Sequence, residues 1–175
     1  MKKMTIALSI AGLFACGAAP AFSQSSAPND AQIAGIVVTA NTVDIDAGKL
    51  AEKMSGNKEV KAFAKQMVTD HTGVNKQATA LVKKLKVTPE DSDTSKSLKE
   101  GGDANMAKLK GLKGKEFDSA YIAHEVTYHQ AVIDALDKTL IPNAKNAELK
   151  ATLEKVRPAF VAHLEHAKHL QSSMK

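Results

Sequence analysis

The chain has 175 residues, with 24 Lys and Arg against 19 Asp and Glu, few aromatic residues, no Trp and one Cys. A single cysteine excludes a disulfide framework and a thiolate zinc cluster. The formal net charge is +5, two units of it from Lys2 and Lys3. The lysines are scattered among acids without aromatic interleaving, so they read as a solvated surface, with no nucleic acid as partner.

Residues 1–23 have the three parts of a secretory signal: a basic start at Lys2 and Lys3, an apolar run from Ile6 to Phe14, and a small-residue stretch ending in Ala21-Phe22-Ser23. Cleavage after Ser23 is expected, which places the mature protein in the periplasm. Leu13-Phe14-Ala15-Cys16 also resembles a lipobox, and under that alternative the protein is lipid-anchored through Cys16. The apolar run is too short to span a bilayer, and no later segment approaches the roughly 20 apolar residues required, so no transmembrane helix is expected.

Residues 24–29 form a polar leader, and 30–175 a single domain long enough to bury a core. No strand-like alternation occurs, so the fold class is all-α. Asp30 can cap a first helix to about Met54, after which Ser55-Gly56-Asn57 supplies a terminal glycine and the next N-cap. A second helix runs from Lys58 to about Val87 and ends at Thr88-Pro89. The stretch from Pro89 to Gly114 is polar, with a short amphipathic helix from Ser97 to Leu112. A third long helix covers Lys115 to Thr139 and stops before Pro142. A fourth runs from Asn146 to about Ser172. The long second-to-third connection, carrying its short extra helix, can cross over the bundle and make those two helices parallel, as in ferritin-like bundles. An up-down bundle with a decorated loop is the alternative topology.

Projection at about 100 degrees per residue gives each helix an apolar face interrupted by ionisable groups. Asp44 interrupts the face of Ile33, Val37, Ala40, Ala47 and Ala51. His71 interrupts that of Phe63, Met67, Val74 and Leu81. Asp118, Glu125 and His129 lie on the third helix, and His163 on the fourth beside Pro158, which frees a backbone carbonyl one turn earlier. Buried charges persist when paired, hydrogen-bonded or bound to metal. Counting from the tight turns puts Asp44, His71 and His129 level, with His163 nearer Tyr121 and Asp118 than His129.

Two accounts fit this constellation. In one, iron, manganese or zinc is held by Asp44, His71, Glu125, His129 and His163, supported by Asp70, Asp118 and Tyr121. Glu125 and His129 are four apart and share a helix face. In the other, the groups only satisfy each other: His71 donates to Asp44, His129 to Glu125, and His163 to Asp118 or Tyr121. The zinc-protease motif is excluded, because His124-Glu125 is followed by His129 one residue too late. His163, His166 and His169 step by three, which turns His166 to the edge of the core face and His169 towards solvent. Met106, Leu109 and Leu112 among lysines are read as a crossover packed on the bundle, with a peripheral envelope surface as the other reading. No cysteine nucleophile, phosphate loop or nucleophile elbow is present, so no catalytic residues are assigned. The functional reading is an exported, non-enzymatic bundle whose polar core binds a metal. Its rivals are a metal-dependent redox enzyme acting on peroxide or oxygen, and a structural or envelope-stress interaction protein without ligand.

The residues Asp44-Ile-Asp-Ala-Gly-Lys-Leu-Ala51, Phe63-Ala-Lys-Gln-Met-Val-Thr-Asp-His71 with Asn75, Phe117-Asp118 with Tyr121, His129, and Pro158 with His163-Leu164 and Ala167 together resemble one exported bacterial family. It is domain of unknown function 4142, whose members are often labelled outer membrane proteins. The resemblance implies a ferritin-like bundle in the periplasm or at the outer membrane, and it supplies no activity. Two positions depart from the family pattern: Asp44 stands where it has Glu, and Tyr128 precedes His129 where it has Asp.

Overall fold

The computed structural model describes residues 27–174, and the six helices are α1 Asp30–Met54, α2 Lys58–Leu85, α3 Asp93–Lys110, α4 Gly114–Ala135, the single turn α5 Ile141–Asn143, and α6 Ala147–Ser173. A π-helical segment, Leu136–Leu140, joins α4 to α5. The expected signal (1–23), its cleavage site and Cys16 lie outside the described residues, and the leader is described only from residue 27. Among the described residues no helix is long and apolar enough to cross a membrane.

Local chemistry sets the helix ends, with shifts from the sequence expectation. Asn29, rather than Asp30, caps α1: its side chain accepts from the Gln32 N–H while the Gln32 side chain accepts in return, a capping box. Asp30 instead accepts from the backbone N–H groups of Lys145 and Asn146, at 2.8 and 2.9 Å, and so ties the start of α1 to the α5–α6 turn. Gly56 is not left-handed, because Ser55 already leaves α1 in an extended conformation. At the end of α2 it is Lys86 that turns left-handed, at φ 54°. The Lys86 and Val87 N–H groups then close on the carbonyls of Lys83 and Val82, which stops the helix two residues before the expected Val87. Ser92 and Ser95 make a second capping box, so α3 begins four residues earlier than the apolar pattern suggested.

The third long helix does not stop before Pro142. A proline in regular α-register would lack its N–H and strike the preceding turn. Here the register widens first, the Ile141 N–H reaching back to the Leu136 carbonyl, and Pro142 falls in the first turn of α5. In α6, Pro158 sits exposed within a continuous helix.

α1 packs most closely on α2, and α4 on α6, while α2 meets α6 and α1 meets α4 more sparingly. One apolar layer joins Ala47 and Ala51 of α1 to the starts of α2 and α4 (Val60, Phe63, Met67, Phe117, Tyr121) and the end of α6 (Ala167, Leu170). The other joins Ile33 and Ile36 at the start of α1 to Ile133 and Leu136, and to Leu149, Leu153 and Phe160 at the start of α6. Start meets start for α2 and α4, so these two run parallel: the crossover topology of a ferritin-like bundle.

α3 is the crossover, laid along α1 for its whole length. Two glycines permit the close approach. A Cβ on Gly35 would lie 2.1 Å from the Glu90 carbonyl oxygen, and one on Gly102 would lie 2.8 Å from the Val43 side chain. Leu109 is fully buried, and Met106 and Leu112 pack against the core, so this stretch faces the bundle. Because α3 covers a second face of α1, Ile36 and Ile45 are buried as well as the expected stripe, while Val37 and Ala40 stay half-buried at the α1–α4 seam.

Candidate metal centre

Between the two apolar layers each long helix of the bundle brings in a polar side chain. Asp44 comes from α1, His71 from α2, Glu125 and His129 from successive turns of α4, and His163 from α6; none is more than 3% exposed. The three imidazole rings form a near-equilateral triangle, with centroids 5.5, 5.3 and 5.4 Å apart. His163 is thus level with His129, not displaced toward Asp118 and Tyr121 as expected. The reason lies in the π segment and α5, which lengthen α4 beyond Thr139 and raise the turn from which His163 is counted.

The hydrogen bonds decide which ring nitrogen carries the proton. Asn41 donates from Nδ2 to the Val37 carbonyl at 2.8 Å, which leaves its Oδ1 facing His71 Nδ1 at 2.6 Å; that nitrogen is therefore the donor. His129 Nδ1 donates to the Glu125 backbone carbonyl at 3.1 Å. His163 Nε2 donates to Asp70 Oδ2 at 2.9 Å. Every ring has thereby committed one N–H to an outer acceptor. The remaining nitrogens, His71 Nε2, His129 Nε2 and His163 Nδ1, are buried and without a hydrogen-bond partner.

The carboxylates are in the same condition. Asp44 Oδ2 lies 2.6 Å from His71 Nε2 and 3.5 Å from His129 Nε2, yet neither contact has hydrogen-bond alignment, and both Asp44 oxygens are unpartnered. Glu125 Oε2 lies 3.3 Å from His129 Nδ1 and is also unpartnered. The mutual pairing expected of a purely structural core is present only in part: His71 Nε2 lies against Asp44 while its Nδ1 donates to Asn41, His129 Nδ1 donates to the Glu125 backbone carbonyl beside that residue's carboxyl, and His163 donates to Asp70 rather than to Asp118 or Tyr121.

Burial raises the Glu125 carboxyl well above its ordinary range, and the negative charge of Asp44 adds to the effect. Burial also works against ionisation of Asp44, but the charge and close side-chain contact of His71, with His129 and His163 adding to them, outweigh it and hold that carboxyl low. Burial lowers His129, and it pushes His163 down to about 4 against the opposing hydrogen bond to Asp70. Burial thus favours the neutral forms of Glu125, His129 and His163, whereas Asp44 favours its ionised form.

Of the supporting residues, Asp70 is the acceptor that orients His163. Tyr121 is fully buried in the adjoining apolar layer against Phe63 and Phe117, its phenol raised well above its ordinary value by burial and by Glu125. Asp118 is buried apart from the layer and lines a separate pocket at the end of the bundle, with Asn57 and Lys115. His169 is exposed, as expected, and so is His166, which was expected at the edge of the core face and lies edge-on to Phe63. Asn41 was not anticipated. Its signal was available, because it precedes Asp44 by three residues and so shares the inward face of α1.

The donor chemistry fits a single divalent transition-metal ion. Donor atoms of His71, His129 and His163, and likewise of Asp44, Glu125 and His129, lie within 4.8 Å of one another. The two groupings share His129. Three imidazoles and a carboxylate suit iron, manganese or zinc, and ring N–H groups held by outer acceptors are how metal-binding histidines are oriented.

The sequence matches a known protein family over residues 16–170. The chain belongs to the DUF4142 family. That family is described as a domain of unknown function, and no protein of curated function matches the sequence. Among solved structures, this DUF4142 chain is similar to a "putative secreted protein DUF305" from Streptomyces coelicolor, with a TM-score of 0.68 at 12% identity, over 82% of this chain and 91% of that one. At that identity the likeness concerns the helical fold alone.

Proposed function

We propose that this DUF4142 protein is an exported helical bundle that binds one divalent first-row metal ion through His71, His129, His163 and Asp44, with Glu125 beside it. One observation carries the reading. Two imidazole nitrogens lie 2.6 and 3.5 Å from the Asp44 carboxylate without hydrogen-bond alignment, and a third is buried unpartnered next to them. Like-signed lone pairs repel, and each unpaired buried polar atom costs about 1–3 kcal/mol. A cation between them removes both penalties. A proton alone does not: an imidazolium at His71 would satisfy one Asp44 oxygen and leave His129 Nε2, His163 Nδ1 and Glu125 Oε2 unpaired. Export is supported by the signal-like residues 1–23 and by the description of the DUF305 structure as secreted.

The test is metal analysis of the untagged protein recovered from the cell envelope, followed by titration of metal-free protein with iron, manganese and zinc. About one ion per chain is expected, with a rise in melting temperature of roughly 10 °C at a thousandfold excess over Kd, from about 4 kcal/mol of linkage. Both responses disappear in His71→Ala and His129→Ala. Protein that folds normally, carries no ion and gains no thermal stability from any of the three rules the reading out.

A further inference from the structure

The bound ion needs a way in, and a crevice beside these donors is a candidate path. A crevice of about 20 Å³ lies on the α1–α4 seam, lined by Val37, Ala40 and Asn41 from one helix and Tyr128, His129 and Val132 from the other, with His71 and Phe160 at its floor. Val37, Ala40, Tyr128 and Val132 are half-buried whereas His71 and His129 are buried, so the crevice leads from the surface toward two of the three imidazole rings. The space exceeds the roughly 10–15 Å³ that one water occupies on the same measure. Its walls are apolar, so it suits a narrow, readily desolvated guest.

Tyr128 closes this crevice and opens on something larger. It also lines a groove of about 520 Å³ between α3 and α4, with His124, Leu98 and Gly101, and its ring stacks on His124 at 5.4 Å. One side chain therefore separates a wide outer groove from a narrow inner space. Its hydroxyl donates to the Ala40 carbonyl at 2.9 Å, across the seam. That bond is a latch between two helices that otherwise touch sparingly.

We infer that the α1–α4 seam is the mouth of the site, that Tyr128 is its door, and that the inner crevice is a subsite for an exogenous ligand no wider than a linear chain of two or three atoms. The inference rests on the metal reading above. The ring of Tyr128 sets the width admitted, and its hydroxyl sets how often the door opens.

The experiment loads the protein with Co²⁺ and follows its visible absorption on adding azide, a linear triatomic, or imidazole, a five-membered ring. Wild type is expected to respond to azide and not to imidazole at tenfold higher concentration. Tyr128→Ala responds to both, and it takes up Co²⁺ and surrenders it to a chelator at least tenfold faster in each direction, with affinity unchanged within about threefold. Tyr128→Phe keeps the size discrimination while both rates rise by a smaller factor. An imidazole response in wild type equal to that in Tyr128→Ala overturns the door, as does an azide response in neither protein. So does a variant in which only the off-rate rises, the mark of plain destabilisation. A wild-type protein that takes up no Co²⁺ overturns the metal reading, and this inference with it.

Discussion

The apolar layer around Phe63, Met67 and Phe117 and the polar layer of Asp44, His71, His129 and His163 are neighbours along the same helices and are equally withdrawn from water. They are nevertheless held by different physics. In the apolar layer any neighbour of the right volume serves, because dispersion and burial are not directional. In the polar layer direction decides. Three rings are each anchored from outside by Asn41, Glu125 or Asp70, and the atoms they turn inward have no protein partner. Depth in a core therefore does not say whether a residue contributes through its volume or through where its lone pairs point.

Substitutions should separate the two layers sharply. Leu153→Ala, in the far apolar layer, is expected to cost about 2–5 kcal/mol by denaturant unfolding, the same with or without added metal. The double variant Asp44→Leu with His71→Leu should behave oppositely. Replacing two buried ionisable groups by apolar ones is often neutral or stabilising, so metal-free stability should stay within about 1–2 kcal/mol of wild type. The response to metal should vanish. A loss as large as that of Leu153→Ala, already present without metal, would mean that the layer is an ordinary hydrogen-bonded core and that the contrast is false.

How much of this was legible beforehand follows the same division. The helices, their apolar stripes and the inward placement of Asp44, His71, Glu125, His129 and His163 could be read from period and spacing, since both act along one helix. The crossover was legible as a possibility from loop length. The level of His163 was not, because it depends on the π segment before Pro142, a local change of register that the apolar pattern at Leu136 and Leu140 does not betray. The partners of the rings were misread for a related reason. Projection places His71 opposite Asp44, but which nitrogen faces it depends on Asn41, whose own amide is fixed by the Val37 carbonyl. Asp70 lies off the stripe of α2 and reaches His163 only because α6 passes that flank.

Within the polar layer itself the sharpest and smallest test concerns Glu125 in the metal-free protein. Its folded-state pKa is raised above the ordinary 4.5, first by burial and then by the charge of Asp44. A carboxyl shifted upward favours the folded state below pH 4.5, where both states hold the proton, and that contribution is lost as pH rises toward the folded value, because the unfolded chain then releases the proton more readily. Glu125→Gln keeps the shape and removes the titration. Relative to wild type it should gain stability as pH rises above about 4.5 and lose that gain below it. His163, pushed down to about 4, titrates with the opposite sign: folding is penalised as pH falls from 6.5 toward 4, where the unfolded chain binds a proton that the buried ring refuses. The wild-type profile should thus be bounded on both sides, and the glutamine variant should flatten only its alkaline limb. An unchanged alkaline limb would show that burial and Asp44 do not hold the proton on Glu125 in the folded layer.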